Sequence, residues 1–126
     1  MRMRLRYLAP ALALMPSLLA AEQFTCTFDK GCGTSDCGAD APFSASLAPA
    51  PTGWVLVMKD ETLGTFTEFD SSETARHFVS GNIDPDAGAA GLLSIFADGA
   101  AFLSLHGNFM TPSAQTHTGR CTLETS

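Results

Sequence analysis

Short runs in which apolar and polar residues trade places at every second position mark this chain, and they predict strands rather than helices. Phe43, Ala45 and Leu47 alternate with Ser44 and Ser46, giving a short strand with one wet face. Pro42, Pro49 and Pro51 around it predict a place at a sheet edge, where a missing N–H costs nothing. Gln23 to Phe28 reads as an earlier strand, Trp54 to Met58 as one apolar on both faces and ended by Lys59-Asp60-Glu61, and Leu63 to Phe69 as one rich in Thr and Phe. From Asp70 to Gly81 two readings compete. Asp70 and Glu73 resemble a capping box, with Ala75, Phe78 and Val79 on one helical face and Gly81 as a stop. The alternating pattern instead sets Ala75, His77 and Val79 on one side of a strand, and the neighbouring strands favour it. Asn82 to Gly91 reads as a loop and Gln115 to Leu123 as the last strand.

The strongest local signal is Asp98-Gly99 between Gly91–Ala97 and Ala100–His106. An Asp-Gly pair between apolar runs predicts a two-residue type I′ turn, because both central residues must take positive φ. That turn sets Phe96 opposite Ala101, Ile95 opposite Phe102, Ser94 opposite Leu103, Leu93 opposite Ser104 and Leu92 opposite Leu105. Both faces of this hairpin are then largely apolar. It belongs either at the centre of a sandwich or curled barrel, covered by other strands, or with one face turned to a partner or an apolar ligand. The fold class predicted is all-β: a small antiparallel meander curled into a sandwich or barrel and stapled by disulfides.

Residues 1–21 read as a secretory signal, with Arg2, Arg4 and Arg6 ahead of the apolar stretch Tyr7 to Leu19 and cleavage after Ala20 or Ala21. The stretch is short and broken by Pro10 and Pro16, so it predicts no membrane anchor after cleavage. Residues 22–126 suffice for a single β-domain in a periplasmic or secreted protein. That part keeps four cations, Lys30, Lys59, Arg76 and Arg120, against all thirteen acidic side chains, a net charge of −9 with histidines neutral. Such a balance opposes nucleic acid and anionic lipid surfaces and leaves room for a basic protein partner.

The four cysteines, an even number in an exported chain, predict two disulfides. Three pairings are possible. Cys26 with Cys121 is favoured because one sits in the first strand and the other in the last; Cys32 with Cys37 would close a Gly-rich loop on itself. A four-cysteine zinc site is disfavoured by the lack of a C-x-x-C pair.

Chemistry is scarce. His106 and His117 on consecutive strands would share a metal or a proton if a simple hairpin joined them, but two histidines alone make a poor site. Asn82-Ile83-Asp84-Pro85-Asp86-Ala87-Gly88 looks like a calcium loop with its glycine one place late and Leu93 where the bidentate Glu should stand. There is no Gly-x-Ser-x-Gly elbow. Paired carboxylates suited to glycosidase work are inevitable among thirteen acids, yet the mature part has one Trp and no Tyr to build a sugar platform. No catalytic, cofactor or metal residue is therefore assigned.

The early Thr25-Cys26, the Asp98-Gly99-Ala100-Ala101 turn leading to Ser104-Leu105-His106, and the closing Thr118-Gly119-Arg120-Cys121 resemble small exported β-proteins of alphaproteobacteria that have no assigned activity. The bracketing cysteines also resemble the periplasmic inhibitors of C-type lysozyme, whose Ser-Gly-x-x-Tyr segment is absent here. Neither resemblance carries a functional residue over. The expectation is a non-enzymatic binding or structural module, with two alternatives: an inhibitor or binder of a basic cell-wall hydrolase, or a carrier of a small apolar ligand.

Overall fold

The computed structural model describes residues 22–33 and 42–125. The signal sequence and Cys37, and with it the expected Cys32–Cys37 bond, lie outside these residues. Eight strands run in chain order: β1 (Glu22–Cys32), β2 (Phe43–Ala50), β3 (Gly53–Met58), β4 (Glu61–Phe69), β5 (Ala75–Asp84), β6 (Ala89–Phe96), β7 (Ala100–Asn108) and β8 (Pro112–Thr125). Each pairs antiparallel with the next, and β8 returns to β1 to close a barrel. The meander is thus all-β and curled, as the alternation requires, and the barrel is the alternative realised.

Closure follows from which side chains the period of two sends inward. Phe24, Cys26 and Phe28 of β1, Leu47 of β2, Leu56 of β3, Phe66 of β4, Phe78 of β5, Leu93 and Ile95 of β6, and Leu103 of β7 are buried and form one core. An eight-stranded barrel is just narrow enough for side chains to fill it. Thr25, Thr27 and Ser44 alternate with these residues on the outer face of β1 and β2. Cys26 and Cys121 stand opposite each other in the β1–β8 register and are joined by a disulfide 95 residues apart in sequence.

Several sequence expectations are corrected. No edge exists for β2, which pairs with both β1 and β3. The β1 ladder stops at Phe24 opposite Leu47, so Pro49 lies beyond it and its missing N–H interrupts no bond to β1. The stretch 82–91 is mostly strand, reduced to a turn over residues 85–88. The ambiguous segment is a strand from Ala75, with Arg76, Phe78 and Ser80 inward.

The hairpin through Asp98-Gly99 keeps its place but not its geometry. Gly99 N–H donates to Phe96 C=O at 2.9 Å, and Gly99 alone in this turn has positive φ, 93°. Asp98 instead accepts a hydrogen bond from Ala100 N–H at 2.9 Å, which suits a type I turn followed by a left-handed glycine. Ala97, Asp98 and Gly99 form a three-residue loop, and the register shifts by one: Ile95 faces Ala101, Ser94 faces Phe102, Leu93 faces Leu103 and Leu92 faces Ser104. The slip re-sorts both faces. Leu93, Ile95, Ala101 and Leu103 point inward together, while Leu92, Phe96 and Phe102 are exposed rather than covered by other strands.

Candidate functional site at the open end of the barrel

The two ends of the barrel differ. At one, Arg76 points inward from β5. Its Nε and Nη2 donate to the two carboxylate oxygens of Glu68 at 2.8 and 2.9 Å, and its Nη1 to Glu22 at 3.3 Å. The guanidinium carbon lies 5.1 Å from the ring centre of Phe24, 5.4 Å from Trp54 and 5.7 Å from Phe78. Arginine suits this position because one planar group serves a bidentate carboxylate and three aromatic rings at once. The hydrogen bonds that Arg76 donates to Glu68 hold the Glu68 carboxyl below its ordinary pKa and raise that of Arg76. This cluster plugs the barrel interior at that end, beside a smaller cavity of about 330 Å³ edged by Phe24, Arg76, Phe96 and Leu123.

At the other end the described residues enclose a cavity of about 710 Å³. Phe43 at the start of β2, Met58 at the end of β3, Leu63 early in β4, Leu103 and Leu105 of β7 and His117 of β8 line it, with Lys59 and Gln115. Below, buried Phe28 packs against Phe43 with ring centres 5.2 Å apart, so the cavity is a cup rather than a channel. Sites for small molecules fall between about 300 and 1,000 Å³ and favour the mouths of barrels.

His117 is 7% exposed and stands edge-on to Phe43 at 5.1 Å. Neither of its ring nitrogens is hydrogen-bonded among the described residues, and no fully enclosed side-chain nitrogen or oxygen lacks a partner there. Its polar edge is therefore served through the cup itself. Lys59 reaches the rim from the β3–β4 turn, where Met58 pairs with Glu61. Lys59 and Asp60 carry φ of 51° and 65°, so the two-residue type I′ turn is here and not at Asp98-Gly99. A lysine in the left-handed region costs about 1–2 kcal/mol. Nothing in the sequence pattern marked this residue, which read only as the end of a strand.

No protein-family model, curated protein or solved structure matches this chain.

The remaining candidates separate. His106 faces Ala114 and is exposed on the outside, whereas His117 faces Leu103 on the inside, so the two do not meet. In the calcium-like stretch, Asn82 Oδ1 accepts from Ser80 Oγ and Thr65 N–H, and Asp84 Oδ1 accepts from Ala87 N–H. Those oxygens cap turns and brace strands. His77 Nδ1 lies 2.8 Å from Ser94 Oγ on the outer surface, a pair that the sequence did not suggest. It lies amid Phe69, Phe96 and Phe102, which form an exposed aromatic row across β4 to β7.

Proposed function

We propose that the protein is an exported, non-enzymatic binding module whose open barrel end takes up a small apolar ligand. The observation that carries the reading is the asymmetry of the ends, one plugged by Arg76 and its carboxylates and the other a cup walled by Phe43, Met58, Leu63, Leu103 and Leu105. Export is supported by the N-terminal pattern and by the buried disulfide, which suits a non-reducing compartment. Titration with an apolar fluorophore such as N-phenylnaphthylamine tests it. Saturable binding is expected, lost in Leu105→Arg while thermal stability is kept; absence of saturable binding by the unaltered protein refutes it.

A second reading has its own support, the exposed row Phe69, Phe96 and Phe102 with Asp70, Glu73 and Asp98 in the flanking turns. Apolar centre and acidic rim suit a basic protein such as a cationic cell-wall hydrolase. Binding that weakens with salt and with Phe102→Ser supports this reading; binding indifferent to both rejects it.

A further inference from the structure

The cup has a charge character opposite to that of the molecule around it. Thirteen acidic residues against seven basic ones make the chain acidic, yet among the described residues that line the cup there is no carboxylate. The polar side chains there are those of Lys59, Gln115 and His117, with Thr27 and Ser44 only at its margin. Lys59 is a donor only, and an imidazole offers at least one N–H in either protonation state. His117 brings that donor to a site where burial is more than nine-tenths complete and the protein supplies no partner. No enclosed side-chain nitrogen or oxygen among the described residues is left without a partner, so the edge of the His117 ring is open to the cup, and a ligand oxygen there meets a donor that no protein acceptor competes for.

We propose that the ligand is a small carboxylic acid with an apolar body, such as a medium-chain fatty acid, its tail against Met58, Leu63, Leu103 and Leu105 and its carboxylate between His117 and Lys59. The inference rests on the reading of the open end as an apolar site and adds the head group. An acidic exterior then serves selection. It slows the approach of anions in general, so only an acid whose apolar body gains from the cup is retained, and it leaves simple anions outside.

The test compares decanoate with 1-decanol, equal in chain and different in head group, by calorimetry at low salt and by chemical shifts of the Leu103 and Leu105 methyl groups. Decanoate is expected to bind about tenfold or more tightly than the alcohol, the size of a charge-assisted hydrogen bond. The ratio falls toward one in Lys59→Gly, whose turn geometry a glycine accepts, and in His117→Phe. Trp54 fluorescence, reporting on the plugged end, confirms that each variant is folded. Equal binding of acid and alcohol overturns the head-group assignment and leaves the apolar site standing. Binding of neither, with both methyl signals unmoved, overturns both.

Discussion

Cys26 and Cys121 face each other across the seam where the last strand meets the first, and both are buried. Their bond closes a loop of 95 residues in sequence, which on the chain-entropy account stabilises by about 4–5 kcal/mol. Replacing both by alanine should lower the urea midpoint by a corresponding amount, chiefly by releasing the unfolded chain. A loss below about 1 kcal/mol would mean that the ladder alone holds the seam.

Glu68 makes stability depend on acid. Its carboxyl titrates below the ordinary glutamate value when folded, because Arg76 donates two hydrogen bonds to the charged form. The contribution is complete above the ordinary value and is lost as pH falls through the lowered folded value. Melting temperature followed against pH should therefore drop in that window, and Glu68→Gln should flatten this part of the profile while lowering stability at neutral pH.

Gly119 is needed for space rather than for turn geometry. A Cβ there would come 2.0 Å from the Thr27 carbonyl oxygen and 2.6 Å from the Phe28 Cα, where the β1 register shifts past Phe28. Backbone on both strands would have to move. Gly119→Ala should cost at least the upper part of the range of about 1–3 kcal/mol for overpacking. Gly81→Ala is the control, since nothing lies within 4 Å of the added carbon, and chemical denaturation should separate the two.

Lys59→Gly should leave the fold at least as stable. The left-handed cost of lysine disappears, offset by the greater freedom of glycine in the unfolded chain, so a gain of up to about 1 kcal/mol is expected. A fold that is stabilised while decanoate binding weakens is the signature of strain kept for a ligand contact.

Much of the barrel was legible because alternation is a local property. Phe43, Ala45 and Leu47 had to share a face, and Cys26 and Cys121 fell on first and last strands. What alternation could not rank was the two faces of β6 and β7, both apolar; only the loop length at Asp98-Gly99 decides between registers, and that loop gained a residue because Asp98 caps Ala100 instead of taking positive φ. The plug was hidden for a related reason. Arg76 read as one of four cations, and its inward position becomes intelligible only once Glu68, Glu22 and three aromatic rings converge from other strands. His117 was visible as a residue but not as a site, because its cup is built from the ends of strands far apart in sequence.

The ladder between β1 and β8 also dictates an order of events. A chain made from its N-terminus has β1 first, and β1 must then wait for the other seven strands before its second neighbour exists. Until β8 arrives, β1 carries an open row of N–H and C=O groups and a Cys26 without its final partner, the state in which strands pair with the wrong chain. The Cys26–Cys121 bond can therefore form only once β8 has been made, and a chain truncated before Cys121 would lack both the seam and its lock.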